Sequence, residues 1–231
     1  MSIRQSLDNL QHRIHDAQQL YGREGDKITL LAVSKTRTID DLVNAIEAGQ
    51  QCFGENYLQE ALEKIEALES HSLEWHFIGP IQSNKTRPIA EHFDWVHSVE
   101  RLKIAQRLSE QRPDHLPALN FCLQVNIDAE QSKSGCRLED LPALVAQVSA
   151  LPHIRLRGLM AIPQATGTIE QQRLPFRRLR EAMDQLRQQG YPLDTLSMGM
   201  SGDLEAAIAE GATILRIGTD IFGPRNYSKP G

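Results

Sequence analysis

The feature that most restricts how this chain can fold is an alternation repeated eight times: a short apolar run, then a longer stretch with apolar residues every third or fourth position. The short runs are 28–34, 51–54, 74–78, 95–98, 120–127, 155–161, 195–198 and 213–217. Between them, 38–48, 57–68, 85–92, 101–111, 138–150, 170–189 and 204–210 carry helical periodicity. Strands alternating with helices imply parallel strands joined by crossover helices. Eight such units at near-even spacing predict a closed (β/α)8 TIM barrel rather than the competing doubly wound open sheet. Ahead of the first unit, Ile3, Leu7, Leu10, Ile14, Ala17 and Tyr21 form one further amphipathic stripe that stops near Gly22. This predicts an extra N-terminal helix over 1–22, packed on the barrel. No Pro/Gly/Ser-rich linker interrupts the pattern, so 1–231 reads as a single domain.

Composition narrows the function classes. With 40% hydrophobic and 24% charged residues the chain is an ordinary folding sequence, and a net charge of −5 argues against a grip on nucleic acid, which needs a strongly basic face. Cys52, Cys122 and Cys136 show no C-x-x-C spacing, so neither a disulfide framework nor a Cys-rich zinc site is indicated. They read as small apolar residues in a reducing compartment. The polar first eight residues lack the core of a signal peptide, and no stretch nears the ~18 apolar residues of a membrane span. The expected location is the cytoplasm, away from the membrane.

In a TIM barrel the chemistry lies where strands run out into the following loops. There the sequence places Ser34-Lys35-Thr36, Gly54-Glu55-Asn56, His76 through Gly79 with Gln82, Asn84 and Lys85, then Met198 through Asp203, and Arg216 through Thr219. Lys35 follows an apolar strand, so its amine is expected at the barrel mouth, where burial beside other cations favours the free, nucleophilic form. Ser201 and Gly202 precede a helical segment, and Gly218-Thr219 offers a second turn at the next strand end. Loops after strands seven and eight form a common phosphate site in such barrels. An imine-forming lysine facing a phosphate cradle suits pyridoxal 5′-phosphate, which carries an aldehyde and a phosphate on one ring.

Several motifs in order, Ala32-Val33-Ser34-Lys35-Thr36, Phe53-Gly54-Glu55-Asn56-Tyr57, His76-Phe77-Ile78-Gly79, 130–135 with Lys133, 197–203 and Arg216-Ile217-Gly218-Thr219, closely resemble the pyridoxal phosphate homeostasis protein family. The resemblance runs from the first helix to the carboxyl terminus. It implies a barrel of the alanine-racemase N-terminal type that holds pyridoxal phosphate as a Schiff base on Lys35. Ser201, Gly218 and Thr219 would hold the phosphate, Arg216 would face the pyridine nitrogen, and Asn56 and His76 would touch the ring or its 3′ oxygen. An arginine at that nitrogen leaves it unprotonated and weakens the ring as an electron sink. The implied role is buffering the cofactor and supplying it to dependent apoenzymes, as a monomer without strong catalysis. The alternative is a racemase or decarboxylase of the same barrel type. Such enzymes bring a second acid–base residue on an additional β domain, and only 220–231 follow Thr219 here, which favours the carrier. Lys85, Lys133, Arg137 and Lys229 either line an electropositive mouth or are solvated surface, and Lys85 and Lys133 are candidates for a second cofactor site. Arg173, Arg177, Arg178, Arg180 and Arg187 are expected to form the solvent face of their helix.

Overall fold

The computed structural model describes residues 2–128, 130, 134–164 and 167–224. Eight parallel strands, β1 (Thr29–Val33), β2 (Cys52–Glu55), β3 (Glu74–Phe77), β4 (Trp95–Val99), β5 (Leu119–Gln124), β6 (Ile154–Met160), β7 (Thr195–Ser197) and β8 (Ile214–Ile217), close into a barrel in sequential order. Thr29 to Ala32 of β1 pair with Ile214 to Ile217 of β8, which rules out the open doubly wound sheet. The expected N-terminal helix is α1 (Ile3–Leu20), and the connecting helices are α2 (Ile39–Glu47), α3 (Leu58–Ala67), α4 (Thr86–His92), α5 (Leu102–Gln111), α6 (Leu141–Val148), α7 (Ile169–Gln188) and α8 (Leu204–Ala209). A short 3-10 turn at Ser83–Lys85 and a four-residue helix, α9 (Thr219–Phe222), were not legible as periodicity, because one turn is too short to show any.

Side-chain alternation along each strand divides the apolar residues into two cores. Outward-facing positions such as Ala32, Phe53, Phe77 and Leu215 pack against the helices. Inward-facing Leu31, Trp95, Cys122, Met160 and Ile214 fill the lumen. Helix α1 lies against α2, α8 and α9, with Leu7, Leu10, Ile14 and Ala17 buried as the stripe requires. No helix among the described residues is long and apolar enough to cross a membrane.

The arginines of α7 differ from expectation. Arg173, Arg177 and Arg180 converge on Glu210, which is only 1% exposed, at 2.8, 3.1 and 3.3 Å. A buried carboxylate must be paired, and three half-exposed arginines on one helix face pair it. Periodicity reveals which face of a helix is polar, but not that a carboxylate from α8's end waits beneath it.

Candidate functional site

At the C-terminal ends of the strands lies a cavity of about 240 Å³. Six of the seven residues expected at the site line it: Lys35, Asn56, Ser201, Arg216, Gly218 and Thr219. Gly202 and Met200 complete the wall after β7, Val33, Ile78 and Ile162 supply an apolar lining, and Arg37 adds a cationic side chain to Lys35 and Arg216.

Lys35 is aimed by a local device. The next residue, Thr36, has φ 63°, a left-handed conformation uncommon for a residue with a branched Cβ. Its amide donates to Glu60 Oε1 at 2.6 Å, which holds the turn. Behind it, Lys64, 3% exposed, donates to Ser34 O, Glu55 Oε1 and Glu60 Oε1 at 2.7, 2.8 and 2.5 Å, while Ser34 Oγ donates to Glu55 at 2.6 Å. Burial raises the Glu55 carboxyl above its ordinary range against the opposing pull of Lys64 and Ser34. This ionic cluster on the helix side of β1 and β2 fixes the strand end from which Lys35 projects.

Asn56 is positioned by a close approach. A Cβ at Gly79 would stand 2.2 Å from the Asn56 carbonyl oxygen, so only glycine lets the ends of β2 and β3 come this near. Asn56 Oδ1 is buried with no hydrogen-bond partner among the described residues. Such an orphan acceptor calls for a donor on a ligand.

The opposite wall is built from the turns before α8 and α9. Among the described residues, the amides of Ser201, Gly202, Gly218 and Thr219 donate to no protein acceptor, which leaves a group of N–H donors on one side of the cavity. An arginine that sequence reasoning missed ties these turns together. Arg13 of α1 bonds Ser201 O at 3.0 Å, Glu205 of α8 at 2.8 Å and Asp220 of α9 at 2.9 Å. Amphipathicity alone assigns Arg13 to the polar face of α1, and nothing in the sequence places α8 and α9 beneath it. Arg37 was also missed. It donates to Gly223 O and lies 5.7 Å over the Phe222 ring.

Arg216 is 4% exposed, and burial pushes it down to about 10, which still leaves it charged at neutral pH. It donates to Ala161 O at 2.9 Å and to Ser197 Oγ at 2.7 Å. From Ser197 a line of hydrogen bonds continues down the lumen: His97 Nδ1 at 2.7 Å, His97 Nε2 to His76 Nδ1 at 2.8 Å, and His76 Nε2 to Glu74 Oε1 at 2.8 Å. Burial, with His76 and Arg216 beside it, lowers His97 well below the ordinary imidazole range. The His76 bond holds Glu74 below the usual carboxylate range, so this carboxylate accepts only. Ser197 Oγ accepts from Arg216 and gives its own proton to His97 Nδ1, so His97 Nε2 donates to His76 Nδ1, His76 Nε2 donates to Glu74, and donors point one way from Arg216 to Glu74.

His76 therefore does not join the cavity. It is fully buried in the lumen, stacked on Trp95 with centroids 5.5 Å apart. His76 lies two residues before Ile78, which lines the cavity, so it faces the lumen on the same side of β3 but one layer below the mouth. Lys85 is exposed on the 3-10 turn and Arg137 pairs with Glu139, both outside the cavity lining. Lys133 and Lys229 lie outside the described residues.

Residues 5–226 match the family described as alanine racemase, N-terminal domain. The pyridoxal phosphate homeostasis protein of Pseudomonas aeruginosa is 59% identical over 229 residues, covering 99% of this chain and 98% of that protein. The protein of the same name from Escherichia coli is 51% identical over 230 residues and 98% of each chain. Among solved structures, PipY of Synechococcus elongatus with PLP bound superposes with a TM-score of 0.83 at 36% identity, over 96% of this chain and 100% of that one. The closed barrel, the polar cavity at its mouth and similarity along almost the whole length agree: the chain belongs to the pyridoxal phosphate homeostasis proteins, within the alanine racemase N-terminal domain family.

Proposed function

We propose that this protein holds pyridoxal phosphate in the cavity at the barrel mouth and acts in the cytoplasm to buffer the cofactor and supply it to dependent apoenzymes. The observation that carries this reading is the pairing, across one cavity, of Lys35 with the unspent amides of Ser201, Gly202, Gly218 and Thr219. When bound, the cofactor would supply an aldehyde, which Lys35 would hold, and a phosphate, which those amides and the Ser201 hydroxyl would hold. Asn56 Oδ1, an acceptor without a donor, suits the hydroxyl on the ring. Arg216 has donors only, so it leaves the ring nitrogen unprotonated and the ring a poor electron sink. The PLP-bound relative and the two homeostasis proteins support the same reading.

The lining also supports a carrier over a racemase. Inverting a stereocentre needs an acid–base group on each face of the ring. Among the described residues that line the cavity there is no carboxylate, imidazole, thiol or phenol to stand across the ring from Lys35. The test is borohydride reduction of the purified yellow protein followed by digestion. The label is expected on Lys35 and absent from Lys35→Ala, and the protein is expected to racemise alanine and serine far more slowly than the ~1–10³ s⁻¹ of ordinary enzymes. A label on another lysine refutes the assignment of Lys35, and racemisation within that range refutes the carrier.

A further inference from the structure

The opposite mouth of the barrel, at the N-terminal ends of the strands, holds a second chemically distinct cluster. Cys52 opens β2 and Glu74 opens β3, and the two are register partners across the sheet. His76 follows two residues after Glu74 and so faces the same side. Cys52 Sγ lies 3.7 Å from Glu74 Oε1, His76 Nε2 lies 2.8 Å from the same oxygen, and the three donor atoms all fall within 4.8 Å of one another.

We propose that Cys52, Glu74 and His76 form a binding site for one zinc-class divalent cation, separate from the cofactor cavity. Tetrahedral zinc binds sulfur at ~2.3 Å and nitrogen or oxygen at ~2.0–2.2 Å, so its ligand atoms sit about 3.3–3.7 Å apart. The sulfur–oxygen separation already has that value. The nitrogen–oxygen pair must open by roughly half an ångström, and the Glu74 side chain, 46% exposed, has room to rotate. Thiolate, carboxylate and neutral imidazole together balance a divalent charge, and one soft donor beside two harder ones selects a borderline metal over magnesium or calcium.

The surroundings resemble the outer shell of a metal site. A ligating histidine is oriented by a hydrogen bond from its other ring nitrogen. Here His76 Nδ1 is held by His97 at 2.8 Å, and Trp95 stacks on the ring at an interplanar angle of 3°, which fixes the plane from which Nε2 projects. When the cation takes Nε2, the His76 proton resides on Nδ1 and is donated to His97 Nε2, and the His97 proton then sits on Nδ1 and is donated to Ser197 Oγ. Glu74 opens the cluster to solvent, giving an entry path and a water for the fourth position.

The test uses untagged, cofactor-loaded protein, freed of metals by chelator and titrated with cobalt(II), then zinc(II). The expected result is one equivalent of cobalt giving a thiolate-to-metal charge-transfer band with the intense visible bands of a tetrahedral site, bleached by one equivalent of zinc. Cys52→Ser removes the charge-transfer band, Glu74→Gln weakens binding at least about tenfold, and Cys136→Ser leaves both unchanged. Absence of the band in the wild type, or its persistence in Cys52→Ser, overturns the site. Should a variant fail to fold, X-ray absorption of the zinc-loaded wild type decides: one sulfur in the coordination shell supports the proposal, and a shell of nitrogen and oxygen alone overturns it.

Discussion

Replacing Lys64 by methionine probes the ionic cluster that anchors the Lys35 strand end. Methionine keeps most of the side-chain volume and removes the ammonium that bonds Ser34 O, Glu55 and Glu60. Glu55, 0% exposed and already missing a partner at Oε2, is then left buried without a counter-charge. Breaking a buried pair in this way costs ~3–5 kcal/mol. An independent route gives a similar figure. An unpaired buried carboxyl stays neutral at pH 7, and holding it neutral costs about 1.4 kcal/mol for each of the roughly 2.7 pH units above the unfolded value near 4.3, or close to 4 kcal/mol at most, less what the raised wild-type carboxyl already costs. The second route also gives the sign of the pH dependence. Above pH ~4.3 the unfolded variant carries fewer protons than the folded one, so the variant loses stability as pH rises, and it falls behind the wild type by up to about 1.4 kcal/mol per unit once the raised wild-type carboxyl has ionised. Urea unfolding of both proteins at pH 5, 6 and 7 measures it. The double variant Lys64→Met/Glu55→Gln should recover most of the loss at pH 7 and flatten the slope. A loss under ~1 kcal/mol, or one independent of pH, would refute the claim that a charged Glu55 depends on Lys64.

Three shorter expectations follow from the same structure. Ser201→Ala should weaken pyridoxal phosphate binding by ~1–2 kcal/mol, the worth of one hydrogen bond to a charged group, and leave binding of unphosphorylated pyridoxal unchanged in titrations followed by absorbance. Arg13→Ala removes no cavity-lining residue, yet releasing the turns before α8 and α9 should reduce cofactor affinity about two- to fivefold, matching ~0.5–1 kcal/mol for half-exposed ion pairs; an unchanged affinity would sever α1 from the site. Burial raises the Glu210 carboxyl, but hydrogen bonds from Arg177 and Arg173 outweigh it and hold it below its ordinary value. Its contribution is therefore present above the unfolded value near 4.3 and lost as pH falls from there through its lowered folded value, so Glu210→Gln should cost ~1–3 kcal/mol at pH 7 and progressively less as the pH is taken below ~4.3.

The barrel was legible because eight strand–helix units each carry their own period, and strand ends could be placed within a residue or two, except that β5 ends at Gln124, three residues short of the expected run. Position relative to those ends is what made Lys35, Asn56, Ser201, Arg216, Gly218 and Thr219 readable as one group. His76 obeyed the inward-facing rule too, but a rule about facing carries no information about depth, and two residues along a strand move a side chain ~6–7 Å from mouth to interior. Arg13 and the Glu210 cluster were illegible for another reason: each joins helices that no local pattern relates. Arg13 bonds partners at positions 201, 205 and 220, across most of the chain.

The line of hydrogen bonds down the lumen has a consequence for how the barrel closes. Its members come from four strands, with Glu74 and His76 on β3, His97 on β4, Ser197 on β7 and Arg216 on β8. Apolar contacts tolerate a strand sliding along its neighbour, whereas a slip of one residue turns every side chain of that strand to the other face. A slipped β4 or β7 would put an imidazole or a hydroxyl against the helices and leave Arg216 or His76 short of one buried partner, at ~1–3 kcal/mol for each hydrogen-bonding atom left unmatched and more for the charged one. Misaligned closure is thus selected against from inside the cylinder, where four strands must agree on one alignment before the last gap between β8 and β1 is sealed.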